Sequence, residues 1–183
     1  MNLIETSIVG VLVIESTAFQ DNRGAFSRLF CSRELQKIVD PRSIVQINHS
    51  TTHSVGAVRG IHFQNPPHAE IKIVRCLKGR VFDVAVDLRH GSPTFLKWTA
   101  VELTPGNHLA LVIPEGCAHG FQVLEEDSEL LYLHTAFYTP NAEGAVRFDD
   151  PRIGVNWPLE PTDLSARDLS HPHLKENFKG IVL

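Results

Sequence analysis

Two histidines, a lysine and a tyrosine stand in apolar, strand-like stretches, where a polar side chain needs a reason to be. In Val58-Arg59-Gly60-Ile61-His62-Phe63-Gln64, strand alternation predicts Gly60, His62 and Gln64 on one face and Arg59, Ile61 and Phe63 on the other. Lys72 is the one cation of Ile71-Lys72-Ile73-Val74, so it meets an anion, polarises an oxygen, or snorkels from an edge to water. His119 follows the Pro114-Glu115-Gly116 turn, a place where a rigid scaffold presents functional groups, and is a candidate to share a cavity with His62. Tyr132, in Leu130-Leu131-Tyr132-Leu133, must find a partner for its hydroxyl whether it is core or catalyst. Two strand-borne histidines also raise a metal reading, but His62 stands alone in its cluster, a lysine is near in sequence and no carboxylate completes a facial triad, so no metal site is expected.

The elements that must position these groups read as short strands. Blocks of Val, Ile, Leu and Phe are broken by Gly, Pro, Asn and Asp about every eight to twelve residues. Strands are expected at 11–14, 25–30, 45–50, 58–63, 71–78, 80–87, 95–103, 108–113, 118–123 and 129–137. Leu77-Lys78-Gly79-Arg80 reads as a tight hairpin and Thr104-Pro105-Gly106-Asn107 as a second reversal. Helical signals are confined to a short segment after Ser32 and another at 165–169. With no βα alternation and no repeat, the expected fold is an all-β double-sheet sandwich or jelly roll. Residues 1–183 are expected to form one domain, whose Pro-rich end from about 157 is an irregular cover.

Hydrophobic residues make up 43% of the 183 and charged residues 21%, enough apolar surface for a full core. The net charge of −4 and the lack of a Lys/Arg-rich stretch argue against nucleic acid. Cys31, Cys76 and Cys117 are odd in number and widely spaced, which argues against a disulfide framework or a zinc site and favours a reducing cytoplasm. No signal peptide or membrane-spanning run is expected.

Read together, the motifs resemble the dTDP-4-dehydrorhamnose 3,5-epimerase family, a metal-free branch of the cupin-like barrels. The resemblance runs through Asp21-Asn22-Arg23-Gly24, Gln46-Ile47-Asn48, Arg59-Gly60-Ile61-His62, Pro66-Pro67-His68-Ala69 and Lys72. It continues through Asp83-Val84-Ala85-Val86-Asp87-Leu88-Arg89, Ser92-Pro93-Thr94-Phe95, Ile113-Pro114-Glu115-Gly116, Ala118-His119-Gly120-Phe121 and Asp149-Asp150-Pro151.

The resemblance implies removal of a proton beside the C4 ketone of a nucleotide-linked 4-keto-6-deoxy sugar and reprotonation from the opposite face, with no cofactor. It implies His62 as base, Asp168 as the carboxylate that orients it, Lys72 as the cation on the enolate oxygen and Tyr132 as the proton donor. Arg23 and Arg59 match diphosphate-holding positions; Phe26, Gln46, Asn48, His119, Tyr138, Glu143 and Arg167 match further substrate contacts. A homodimer is implied, with the extended N-terminal segment as the exchange element.

There are departures. Arg28 replaces a common Glu at a position associated with the nucleotide base. The usual Tyr-Lys-x-x-Asn-Tyr-Tyr run is Tyr132-Leu133-His134-Thr135-Ala136-Phe137-Tyr138, and Glu-Arg-Gly becomes Glu143-Gly144-Ala145. Inversion at one carbon alone, or another nucleotide sugar, therefore stays open. A noncatalytic sugar-nucleotide-binding jelly roll accounts for the barrel but not for His62, Lys72 and Tyr132 together. A 3,4-ketoisomerase is opposed by Lys72, because those enzymes typically use a pair of histidines.

Overall fold

The structure, a computed structural model, describes residues 1–183. One sheet has six antiparallel strands in the order β1 (Asn2–Glu5), β2 (Leu12–Glu15), β10 (Leu109–Ile113), β7 (Lys72–Lys78), β12 (Ser128–His134) and β5 (Gln46–Thr52). The second has five, in the order β13 (Glu143–Ala145), β6 (Val58–Gln64), β11 (Cys117–Val123), β8 (Val81–Asp87) and β9 (Trp98–Leu103). A separate hairpin, β3 (Ala18–Asp21) and β4 (Gly24–Ser27), pairs with neither sheet. Two one-turn helices, α1 (Gln36–Val39) and α2 (Ala166–Ser170), and a 3-10 turn at Pro140–Ala142 complete the regular structure. This is the expected all-β, cupin-like double-sheet jelly roll. No helix is long and apolar enough to cross a membrane.

Both sheets carry apolar packing on both faces, although β1 and most of β5 are exposed. Between them lies an apolar core of Val11, Val13, Val74, Cys76, Val81, Leu111, Phe121 and Leu130, among others. Leu35 and Val39 cover the outside of the six-stranded sheet, over Ile14, Ile73 and Leu133. Ile153, Trp157, Phe178 and Ile181 cover the outside of the five-stranded sheet, over Ile61, Val84, Val86 and Ala118. Gln122 stitches that cover down, accepting from Leu159 N and donating to Leu159 O.

Each of the ten expected strands is found, with shifted ends. The segment at 95–103 starts only at Trp98, because the side chains of Ser92 and Thr94 bind Asp87 and Leu96 takes a positive φ of 61°. The segment at 129–137 stops at His134, and that at 25–30 ends at Ser27. Strands β1, β3 and β13, each of three or four residues, carried no pattern long enough to read. Ser32 does not cap α1, whose N-cap is Leu35 without a side-chain bond, whereas Ser165 does cap α2 by accepting from Asp168 N at 3.0 Å.

The two expected reversals are present but neither is a hairpin. The Gly79 turn leads from β7 in one sheet to β8 in the other, and the Pro105-Gly106 turn leads from β9 back to β10. A turn signal encodes a change of direction; which strand becomes the neighbour is decided by sheet packing.

Asp87 anchors the loop after β8. Its buried carboxylate accepts from Arg89 N and Nε, Ser92 Oγ and Thr94 Oγ1, and also from Arg89 Nη2 at 2.7 Å. Burial opposes ionisation, but these donors outweigh it and hold the carboxyl near a pKa of about 2, against an ordinary 3.8. A depressed folded-state value contributes stability that is present above the unfolded value and lost as pH falls through the folded one. Wild-type unfolding free energy, followed by urea titration, should therefore drop between pH 3.8 and about 2. Asp87→Asn should lose about 3 kcal/mol at neutral pH and flatten that acid limb.

Candidate active site

The site begins with a bulge. On β11, His119 stands opposite His62 and Phe121 opposite Arg59, so two steps on β11 match three on β6. The extra residue lies at Gly60-Ile61 and corrects the alternation expected from sequence: Arg59 and His62, on opposite faces in a regular strand, both line the cavity. Ile61 turns outward into the C-terminal cover. Gly60 has φ +121°, and a Cβ there would lie 2.6 Å from Gly120 Cα and 2.8 Å from His119 O. Only glycine meets both demands.

The cavity, about 600 Å³, opens at one end of the barrel between the two sheets. The five-stranded sheet contributes Arg59, His62 and His119; the six-stranded sheet contributes Asn48, Ser50, Lys72, Tyr132 and His134 across from them. The walls approach closely: the rings of His119 and Tyr132 meet edge to face at 6.0 Å.

His62 Nε2 lies 2.6 Å from Asp168 Oδ1. A carboxylate only accepts, so Nε2 carries a hydrogen, and in the neutral ring Nδ1 is the nitrogen with the lone pair. Burial raises the Asp168 carboxyl, yet the bonds from His62, Ser165 and the Gly60 backbone hold it below the usual carboxylate range, so it stays anionic. His119 is similarly tied to Asp83 at 2.7 Å, but it lies deeper in the cavity wall, and burial lowers the His119 pKa against the pull of that carboxylate. Asp83 Oδ2 is buried without a hydrogen-bond partner.

Burial pushes the Tyr132 phenol above its ordinary range, so it is a stored proton; its hydroxyl shares a 3.2 Å bond with Ser50 Oγ. Lys72, 12% exposed, reaches Glu70 Oε1 at 3.5 Å. Arg59 spends one donor on Thr52 Oγ1 and lies between the cavity and a neighbouring cleft, leaving most of its guanidinium for an anion. At the rim Glu143 accepts from Tyr138 OH at 2.8 Å and pairs with Arg167. The arrangement can remove a proton from one side of a bound molecule, return one from the other, and meet negative charge between.

Of the residues singled out in the sequence, Asn48, Arg59, His62, Lys72, His119, Tyr132, Tyr138 and Glu143 line the cavity. Gln46 stands behind Asn48, while Asp168 and Arg167 line the adjoining cleft and reach in through His62 and Glu143. Arg23, Phe26 and Arg28 are not brought to the cavity of their own chain. Arg23 and Phe26 sit on the outlying hairpin, Arg23 paired with Asp21, and Arg28 is paired with Glu34. Asp83, Ser50, Glu70 and His134 are the residues that sequence reasoning missed. The alternation of Asp83 and Asp87 in β8 was visible, but not that both carboxylates face inward.

The comparisons with known proteins bear directly on this geometry. The family model described as dTDP-4-dehydrorhamnose 3,5-epimerase matches residues 5–176. The chain belongs to the dTDP-4-dehydrorhamnose 3,5-epimerase family. The Sinorhizobium fredii dTDP-4-dehydrorhamnose 3,5-epimerase is 44% identical over 171 residues, 93% of this chain and 88% of that protein. The Legionella pneumophila dTDP-6-deoxy-D-glucose-3,5-epimerase, solved with dTDP-4-keto-L-rhamnose, superposes with a TM-score of 0.87 at 38% identity, covering 92% of this chain and 89% of that one. A 3'-monoepimerase from Streptomyces bikiniensis, solved with dTDP-quinovose, superposes at 0.85 with 33% identity, covering 93% and 86%. The solved structures that this chain resembles thus include a protein named for epimerisation at a single position.

The bulge yields a test of stability. Gly60→Ala should lower the unfolding free energy by about 2–4 kcal/mol, because it combines a forbidden φ with a backbone clash. Gly106→Ala, whose Cβ would meet nothing within 4 Å, should stay within about 0.5 kcal/mol of wild type in the same chemical denaturation.

Proposed function

We propose that this chain inverts C3 and C5 of a dTDP-linked 4-keto-6-deoxy sugar, converting the 4-keto-6-deoxyglucose form to the 4-keto-rhamnose form. The observation that carries the reading is the division of roles between walls: His62 on one sheet, Tyr132 and Lys72 on the other. His62 Nδ1 takes the proton from the carbon beside the ketone. The C–H electron pair becomes the C=C bond of an enolate, and the negative charge on O4 is met by the Lys72 ammonium, where preorganised charge is most effective. The enolate then takes the Tyr132 proton on its other face, which inverts the carbon and leaves a phenolate that Ser50 stabilises. Asp168 holds the His62 ring in the productive tautomer and offsets its positive charge once protonated.

Arg59 suits the diphosphate, and Asn48, His119, Tyr138 and Glu143 suit the sugar, with Gln46 supporting Asn48 and Arg167 supporting Glu143. We read residues 1–183 as one domain, since the C-terminal cover supplies Asp168 to His62. We further propose a homodimer in which the β3–β4 hairpin brings Arg23 and Phe26, with Arg28 just beyond it, to the partner's cavity. The hairpin pairs with neither sheet, and Phe19 and Phe26 are more than 70% exposed on it, a poor state for two aromatics in an isolated chain. The three free thiols fit a cytoplasmic location.

Proton NMR of dTDP-4-keto-6-deoxyglucose in deuterated water tests the chemistry: with the wild-type enzyme both the C3 and C5 signals should fade and product should appear. His62→Ala should abolish exchange, whereas Tyr132→Phe should exchange without efficient inversion. Exchange at one carbon alone would make the chain a single-carbon epimerase, and exchange at neither by folded protein would refute the assignment.

Hairpin exchange has its own test, for the single variants Arg23→Ala and His62→Ala should each be nearly inactive. Co-expressed, they should regain about a quarter of wild-type activity, because half the dimers then carry one intact site. No recovery in a mixed dimer would rule the exchange out.

A further inference from the structure

Two cavity residues outside the set drawn from the family resemblance, Glu70 and His134, are tied to that set by continuous hydrogen bonding. His134 belongs to the Leu133-His134-Thr135-Ala136 stretch where this chain departs from the family run. Both side chains are about 10% exposed, and the His134 ring lies parallel to that of Tyr132 at 6.1 Å. His134 Nδ1 is 2.7 Å from Glu70 Oε2, and Lys72 Nζ is 3.5 Å from Glu70 Oε1. On its other side His134 Nε2 is 3.3 Å from Asn48 Nδ2, Gln46 Nε2 donates to Asn48 Oδ1 at 3.3 Å, and Tyr138 N donates to Gln46 Oε1 at 3.0 Å.

The chain of bonds has a direction that can be derived from its one pure acceptor. Burial raises the Glu70 carboxyl, but His134 and Lys72 together hold it below its ordinary value, so it is a carboxylate that only accepts. His134 must then carry a hydrogen on Nδ1, and its neutral ring offers a lone pair at Nε2, the atom that faces Asn48 Nδ2. Asn48 must answer with its NH2, which turns its oxygen to Gln46; Gln46 answers with its own NH2, which turns its oxygen to the Tyr138 N–H. Every donor from Tyr138 through Gln46, Asn48 and His134, and Lys72 from the other side, points toward Glu70.

We propose that Glu70 and His134 are positioning residues that hold Lys72 in place and set the orientation of the Asn48 and Gln46 amides, and through them the segment carrying Tyr138, for substrate. Reversing one link reverses the rest: a hydrogen on His134 Nε2 requires Asn48 to present its oxygen, which rotates Gln46 and leaves Tyr138 N–H facing an NH2 group. The consequence for catalysis rests on the epimerase reading; the bond direction does not.

The experiment separates the two. Nitrogen-15 NMR of the histidine rings at about pH 8, where an ordinary imidazole is neutral, should find His134 with hydrogen on Nδ1 in the wild-type protein and on Nε2 in the isosteric Glu70→Gln variant. In Glu70→Gln the KM for dTDP-4-keto-6-deoxyglucose should rise about tenfold while kcat stays within about threefold, a split expected when lost alignment weakens binding more than chemistry. The KM increases of Glu70→Gln and His134→Phe should combine less than multiplicatively in the double variant, since both cut one chain of bonds. A wild-type His134 with hydrogen on Nε2, or on both nitrogens, overturns the proposal, and so does an unchanged KM in a variant whose ring has switched. A wild-type protein that leaves the C3 and C5 protons in place would instead sink the epimerase reading, with the ring-nitrogen result still deciding the bond direction.

Discussion

The contact of Gly60 on Gly120 is the constraint from which the rest of the site follows. With no side chain between β6 and β11 at that point, β6 can hold one residue more than its neighbour, and the local twist carries Arg59 and His62 to the same side. The same bulge sends Ile61 out under Val146, Ile153 and Ile181. The cover bound to that outer face is continuous with α2, and α2 delivers Asp168 to His62 from behind. A local backbone irregularity thus brings Arg59 and His62 to one cavity and links His62 to a carboxylate that lies 106 residues away in sequence.

Two His–Asp pairs of nearly equal length serve different ends because their surroundings differ. His119 lies deep in the cavity wall, 5% exposed and backed by the fully buried Asp83, where burial favours the neutral imidazole and the bond fixes the ring. His62 is 29% exposed nearer the mouth, with one ring nitrogen held by Asp168 and the other without a hydrogen bond to protein. Distance alone would not separate the two pairs; the depth of each ring in the cavity does. Tyr132 also lines the cavity, and burial favours its protonated form.

Much of this was legible in the residues. Short apolar blocks between Gly and Pro turns marked the jelly roll, and the polar interruptions at His62, Lys72, His119 and Tyr132 marked the cavity, because an extended strand burying both faces has little tolerance for an unpaired polar group. The turns at Gly79 and Pro105-Gly106 were visible too, but as reversals only. That they pass between sheets depends on β7 pairing with β10 and β12, and β10 with β2, strands far from them along the chain. Glu70 and His134 gave no signal of their own, since a glutamate near a Pro-Pro turn and a histidine at a strand end are commonplace on a surface. Their significance comes from β7, β12 and β5 lying side by side, which aligns Lys72 with His134 and Tyr132 with Asn48.

What the sequence by itself determined was the fold class, the family and the polar residues that line the cavity, because these depend on residue types and short spacings. The tertiary structure decided which groups face one another across the cavity, that Arg59 joins His62 through the bulge, and that the β3–β4 hairpin stands away from its own chain's site. Those outcomes depend on strand register and on which sheet a strand joins. Both are fixed by the summed packing of distant apolar faces, a quantity that no short window of sequence contains.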